Sequence, residues 1–166
     1  MASHIRFAIR KDIPQLVEIE KHGPAPHWDE WEFVAEFKDR HTIARVIVDG
    51  NADNGPVVGF VVYRLERLAI VVVNLAVHED YRRRGYGRQL LTAVIEKLSP
   101  TKRTAVLIRV HEKNIAAQRF LRKCGFSSET VARGAYDDGK SDGYDFAFRL
   151  VKPALFKNRI SSLLKE

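Results

Sequence analysis

The stretch NLAVHEDYRRRGYGRQLL, residues 74–91, decides how the chain is read. Its first residues close an apolar run, LAIVVVNLAV (residues 68–77), that has no polar face. A strand of that kind belongs in the middle of a sheet, covered by helices. Its last residues open an amphipathic helix, RGYGRQLLTAVIEKL, with Leu90, Leu91, Val94, Ile95 and Leu98 at helical spacing and Ser99-Pro100 as the stop. Between strand and helix stand Arg82, Arg83, Arg84, Gly85, Tyr86, Gly87 and Arg88. Three readings compete for such a cluster: a solvated basic turn, a nucleic-acid patch and a phosphate cradle. The setting favours the cradle. Glycines at a helix start let backbone N–H groups meet an anion without a side chain in the way, and the unpaired amides and helix dipole both favour negative charge there. Two common phosphate motifs are excluded, because no GxxxxGK[ST] is present and Leu90 stands where GxGxxG needs its third glycine.

Working back towards the N-terminus, residues 57–65 (VVGFVVYRL) and 42–49 (TIARVIVD) read as two strands joined by the turn-rich DGNADNGP, a hairpin with a long loop. Before them, DEWEFVAEFKDR reads as a helix starting at Asp29, its buried stripe made of Trp31, Val34, Ala35 and Phe37 or Lys38. The break GPAPHW (residues 23–28) separates it from DIPQLVEIEKH, where Asp12 is the expected N-cap, Pro14 sits in the first turn and Gln15 takes the capping-box position. Residues 5–10 alternate apolar and basic, as a short strand does.

Working forward, AVLIRV (residues 105–110) is a second buried strand. Asn114 then begins NIAAQRFLRKCGF, a helix with Ile115, Ala116, Phe120 and Leu121 at helical spacing and Gly125 as its C′ residue. A strand over residues 126–133, a polar loop DDGKSDG and a strand YDFAFRL (residues 144–150) complete the order β, α, α, β, β, β, α, β, α, β, β. That order is α+β, with a mixed central sheet of about six to seven strands flanked by about four helices. We read residues 1–152 as one domain and residues 153–166, with Leu155, Phe156, Ile160, Leu163 and Leu164 at helix-like spacing, as a tail that forms a short amphipathic helix or a frayed end.

Composition narrows the function classes. A net charge of +7 and a sequence pI of about 9.7 favour an anionic partner without saying which. One cysteine, Cys124, rules out an intramolecular disulfide and a CxxC zinc site and suits a reducing compartment. The sequence shows neither a signal-peptide core nor an apolar run of the roughly 18 residues needed to span a bilayer, so the expectation is cytoplasmic, without a membrane. Oligomeric state is open, a dimer being compatible. Nucleic acid is disfavoured, since neither RRM-type interleaving nor a helix-turn-helix pattern accompanies the arginines.

The segment NLAVHEDYRRRGYGRQLL, followed by NIAAQRFLRKCGF, resembles the GCN5-related N-acetyltransferases, whose acetyl-CoA loop reads [QR]xxGx[GA], here Arg82, Arg83, Arg84, Gly85, Tyr86 and Gly87. Within that family it is closest in flavour to the ribosomal-protein alanine acetyltransferase type. The resemblance implies that acetyl-CoA is the cofactor and that a primary amine of a peptide or protein, an N-terminal α-amine included, is the acceptor. It implies that the backbone amides of residues 83–88 hold the pyrophosphate, that main-chain groups of Leu75, Ala76 and Val77 pair with the pantetheine arm, and that Asn114, in the Asn-xx-Ala pattern with Ala117, touches the cofactor. An oxyanion donor would be the N–H of Leu75 or Val77.

Set against the family's pattern, Leu121 stands at the position that frequently holds tyrosine, Arg109 at the subgroup's acidic position and Val73 where many relatives carry glutamate. Candidate replacements for proton transfer are His111, after the second buried strand, and Tyr136, beside the late loop with Tyr144. His78 reads as a turn residue, Cys124 as a small buried side chain, and Trp28 and Trp31 as core or pocket lining. Asp137, Asp138, Asp142 and Asp145 would suit a cationic small-molecule acceptor such as a polyamine or an aminoglycoside. A CoA-binding protein without turnover and a nucleic-acid module are the readings from other classes.

Overall fold

A computed structural model describes residues 2–150; the tail expected over residues 153–166 lies outside the described residues. The elements are β1 (Ser3–Phe7), α1 (Ile13–Lys21), α2 (Glu30–Lys38), β2 (Thr42–Asp49), β3 (Val57–Leu65), β4 (Ala69–Val77), α3 (Tyr86–Ile95), β5 (Ala105–His111), α4 (Ile115–Lys123), β6 (Ser127–Tyr136) and β7 (Ser141–Arg149). The order is the expected one. Seven strands form one sheet in the order β1-β2-β3-β4-β5-β7-β6, with β1, β2 and β3 antiparallel in turn, β5 antiparallel to β7 and β7 to β6, and β4 parallel to β5. The chain divides into two compact units, one of residues 1–65 and 73–93, the other of residues 66–72 and the chain from Val94 onward.

In the first unit, α1 and α2 bury Leu16, Ile19 and Phe33 against Val46, Val48, Phe60 and Val62. Alternate residues of β2 and β3 supply that face, as the two-residue period of a strand requires. Gly59 points the other way, where an added Cβ would stand 3.1 Å from the Ala76 carbonyl oxygen and 3.3 Å from Leu90 of α3. A side chain there would separate β3 from both.

Four local expectations for this unit are corrected. The buried stripe of α2 runs through Phe33, with Val34 and Phe37 packed against the core, while Trp31 is 81% exposed and Ala35 is exposed. The capping box fixes that phase: Asp29 accepts the Glu32 N–H at 3.0 Å and Glu32 accepts the Asp29 N–H at 2.7 Å, so the N-cap is Asp29 and the first core position falls four residues later. Asp12 does not cap α1 with its side chain. Its buried carboxylate takes both Arg6 nitrogens, at 2.8 and 2.9 Å, and the Ile9 N–H. Gln15 reaches out of α1 to accept the Val57 N–H at 3.1 Å rather than closing a box. The first strand ends at Phe7, and residues 10–12 are a 3-10 turn.

In the second unit, β4 and β5 pair in parallel from Ala69 with Ala105 to Val72 with Ile108. Helix α4 buries Leu121 and Gln118, whereas Ile115 and Ala116, expected inside, are exposed. Gln118 is tolerated inside because its amide donates to the Glu112 carbonyl at 2.9 Å, and so finds a partner in place of water. The helix ends as expected at Gly125, with φ of +90° and the Phe126 N–H returning to the Leu121 carbonyl. The late loop is shorter than DDGKSDG: residues 137–139 turn, and β7 already begins at Ser141, since Ser141 pairs with Tyr136, and Gly143 with both Ala132 and His111.

Candidate active site

The basic segment forms a continuous set of turns in the first unit. His78 opens a 3-10 turn (Glu79–Tyr81), its Nδ1 accepting the Asp80 N–H. Arg83 and Gly85 follow with φ of +63° and +84°. Only glycine adopts that conformation without cost, and an added Cβ at Gly85 would meet nothing within 4 Å, so Gly85 is required by its backbone angle and not by crowding. Helix α3 begins at Tyr86, and the Gln89 N–H bonds back to Gly85. The amides ahead of Gln89 therefore have no carbonyl within the helix, which is the arrangement that receives an anion.

The side chains of this segment are placed less uniformly than the sequence implied. The Arg82 guanidinium is held by main-chain acceptors: its Nε donates to the Val77 carbonyl at 3.1 Å and an Nη to the His22 carbonyl at 3.0 Å. Tyr86 turns inward, buried, and donates its hydroxyl to Asp49 at 2.8 Å. Arg84 lies over the Tyr81 ring at 5.0 Å. Gly87 is half-buried and Arg88 exposed in the first turn of α3. Leu75, Ala76 and Val77 end β4, beyond its ladder to β5, and are half-buried.

In the second unit, β5, β7 and β6 line up two rows of residues, the first of them polar throughout. Thr130, Asp145 and Arg109 are register partners in one row, and Ala132, Gly143 and His111 in the next. Asp145 is buried, grips Arg109 at 2.7 and 3.2 Å and accepts the Thr130 hydroxyl at 3.0 Å. The Tyr136 ring lies over Gly143, where an added Cβ would stand 2.9 Å from the ring and 3.0 Å from the Arg109 stem. His111 packs against Tyr136 with ring centroids 4.8 Å apart, so the two proton carriers expected from sequence are neighbours.

Their protonation follows from their partners. His111 Nδ1 accepts the Lys113 N–H at 3.0 Å, which puts the proton on Nε2, and Nε2 donates to Asp137 at 2.9 Å. That bond, more than any other interaction, holds the Asp137 carboxyl below the usual carboxylate range. Burial pushes the Tyr136 hydroxyl above the usual tyrosine range, with the Arg109 charge acting in the opposite direction. The hydroxyl donates to the Arg109 carbonyl at 3.4 Å, a long bond. Asp137 and Asp138 both have φ of +53°, a conformation costly for non-glycine residues and held here by the turn.

Other expectations resolve as follows. Asn114 is the N-cap of α4, its side chain accepting the Ala117 N–H at 3.1 Å, so the Asn-xx-Ala spacing has a structural cause of its own. Of the acidic residues weighed for a cationic acceptor, Asp145 serves Arg109, Asp142 serves Arg133 and the Gly134 N–H, and Asp137 serves His111. Trp28 packs edge-on to Phe33 at 5.3 Å, as core, and Cys124 is half-buried at the end of α4. Leu121 is in the core. The sequence reading missed Thr130 and Gly143 and, although it set Asp145 in a strand, weighed it with the acidic residues near the late loop instead of pairing it with Arg109; the signal lay in the strand alternation of residues 141–149.

A family model, the acetyltransferase (GNAT) family, matches residues 9–126, more than half of the chain. The chain belongs to this family. It is an N-acetyltransferase with acetyl-CoA as donor. The acetyltransferase is 28% identical over 133 residues to the [ribosomal protein bS18]-alanine N-acetyltransferase of Escherichia coli strain K12, covering 79% of this chain and 86% of that one. It is 30% identical over 154 residues to an N-alpha-acetyltransferase of Sulfurisphaera tokodaii, covering 84% and 89%. Its fold matches the crystal structure of the ribosomal-protein-S18-alanine N-acetyltransferase from Escherichia coli with a TM-score of 0.76 at 24% identity, over 93% of this acetyltransferase and 99% of that chain. Among the described residues, no helix of the acetyltransferase is long and apolar enough to cross a membrane.

Proposed function

We propose that this acetyltransferase acetylates the N-terminal α-amine of a protein or peptide, by direct attack of the amine on the acetyl-CoA thioester. The observation that carries the proposal is that relatives at 28% and 30% identity, matched over most of their length, are named for α-amine acceptors. We assign the pyrophosphate to the backbone amides of residues 83–88, the pantetheine arm to main-chain groups of Leu75, Ala76 and Val77, and contacts with the cofactor to Asn114 and Ala117. The reaction runs in the cytoplasm, a reading supported by the single cysteine.

The chemistry asks little of the protein. An α-amine loses its proton near pH 8, and a thiol near 8.5, so neither a strong base nor a strong acid is required. Tyr136, kept protonated by burial, suits the role of acid to the departing thiolate, and His111 holds its ring in place. A backbone N–H of Leu75 or Val77 would receive the developing oxyanion.

The test is an amine panel assayed for free CoA release. Peptides with a free N-terminus should react, whereas the same peptides blocked at the α-amine but carrying a lysine, and polyamines, should not. Turnover of polyamines alone would replace the acceptor with a small cation, and CoA binding with no turnover of any amine would leave a CoA-binding protein.

A further inference from the structure

The first unit contains a chain of contacts that the transfer chemistry does not use. Arg82 is the residue through which the chain enters the basic loop, immediately before Arg83 with its φ of +63°. Its guanidinium spans two carbonyls from different elements: Val77, at the end of β4, and His22, the C-cap of α1. His22 adds a second link, since its Nδ1 lies 3.1 Å from Glu79 in the 3-10 turn while its Nε2 lies 3.3 Å from Glu18 in α1. The His22 and His78 rings add a third, at 6.1 Å between centroids. Two residues before His22, the buried Glu20 carboxylate accepts the Trp28 N–H at 2.8 Å. The last turn of α1 is thus held to the basic loop on one side and to residues 23–28 on the other.

We propose that Arg82 is a positioning residue, one that fixes the donor loop against the last turn of α1 so that acetyl-CoA in the loop sets the conformation of residues 23–28. The inference rests on the reading of residues 83–88 as the acetyl-CoA loop. Three physical points support it. A guanidinium offers several donors in a fixed plane, and so can hold two carbonyls at once where an ammonium holds one point. A cation at the C-terminal end of a helix meets the negative end of its dipole and its unpaired carbonyls, which makes the His22 carbonyl a good acceptor. A left-handed non-glycine residue persists only where its surroundings hold it, and Arg82 is the neighbour anchored on two sides of Arg83.

The test uses the chain with Trp31→Phe, which removes the exposed indole and leaves Trp28 as the sole tryptophan of the two in the sequence. Acetyl-CoA affinity is measured by calorimetry at several salt concentrations, and Trp28 emission is followed during titration. In the parent, saturating acetyl-CoA should shift Trp28 emission. Arg82→Ala should raise Kd by about tenfold or more and remove the Trp28 shift even at saturation, with the parent's dependence of Kd on salt. Arg82→Lys, which keeps the charge and the stem, should fold in any case and restore affinity only in part.

If Arg82→Ala, or Arg82→Lys where the alanine variant does not fold, keeps the parent's Kd and Trp28 shift, Arg82 positions nothing and the proposal falls. A weaker Kd with a flatter salt dependence and an intact Trp28 shift would make Arg82 a direct phosphate ligand, which also overturns it. Failure of the parent itself to bind acetyl-CoA would refute the donor-loop assignment, and this inference with it; binding by the parent with unchanged Arg82 variants refutes the inference alone.

Discussion

Tyr136 owes its place to a residue that has no side chain. Gly143 leaves the room in which the Tyr136 ring and the Arg109 stem lie, so Gly143→Ala forces a shift of either, at a cost of about 1–3 kcal/mol for an overpacked site. We expect Gly143→Ala and Tyr136→Phe to lower kcat in the same direction, measured under saturating acetyl-CoA with the best acceptor peptide. General acid help contributes about 100 to 10,000-fold where it is needed, and a thiolate needs little, so the loss should be about a hundredfold or less. The pH dependence has a definite sign. Tyr136 acts in its protonated form, and burial raises the pH at which that form is lost, so kcat should not decline through pH 9 on account of this residue. A basic limb beginning near neutrality, and absent from Tyr136→Phe, would contradict the assignment. These roles could not be read from the sequence in full. A tyrosine before DDG reads as a loop aromatic until register sets Gly143 opposite His111, and register is a property of strand pairs.

Helices α1 and α2 show how local rules compete. The spacing of Trp31, Val34 and Ala35 fits a helical stripe as well as Phe33, Val34 and Phe37 does, and only the packing on β2 and β3 selects the second. Phe33→Ala should therefore cost about 3–5 kcal/mol in chemical denaturation, and Trp31→Ala no more than about 0.5 kcal/mol. At the start of α1, burial raises the Asp12 carboxyl, but the Arg6 bonds and the Ile9 N–H outweigh it and leave Asp12 below the usual range. A carboxyl lowered in the folded state stabilises above its unfolded value, and that stabilisation is lost as pH falls through the folded one. Asp12→Ala strands the Arg6 guanidinium and should cost about 3–5 kcal/mol at pH 7, a gap to the parent that closes as the medium is acidified. Denaturation midpoints measured from pH 7 downward check this; a gap that stayed constant to pH 2 would show that the pair is not what holds this turn. The start of α2 at Asp29 and the Gly125 ending of α4 were legible because each is written in a few consecutive residues. The Arg6–Asp12 pair and the reach of Gln15 to Val57 were not, because the partners are chosen by the fold.

For the whole molecule, the order of eleven elements followed from alternations of period and turn signals, and the donor loop from one strand-turn-helix junction. What composition supplied was only a sign: a net charge of +7 suits the phosphates of CoA and those of nucleic acid alike. Stability separates the two. A ligand that binds only the folded chain stabilises it by RT ln(1 + [L]/Kd), about 2.7 kcal/mol at a hundredfold excess over Kd, which raises Tm by several degrees in a chain of this length. Acetyl-CoA should produce that rise, and desulfo-CoA, which keeps the phosphates, most of it, if the amides of residues 83–88 carry the affinity. Gly87→Val puts a branched side chain among those amides and should remove the rise while leaving the unliganded Tm within a few degrees of the parent. A duplex oligonucleotide at the same phosphate concentration should produce a smaller shift that disappears as salt is raised. The decisive comparison is between ligands on one protein: a rise with the oligonucleotide that survives salt, and none with millimolar acetyl-CoA, would mean that the arginines serve a nucleic acid and that the loop does not hold the donor.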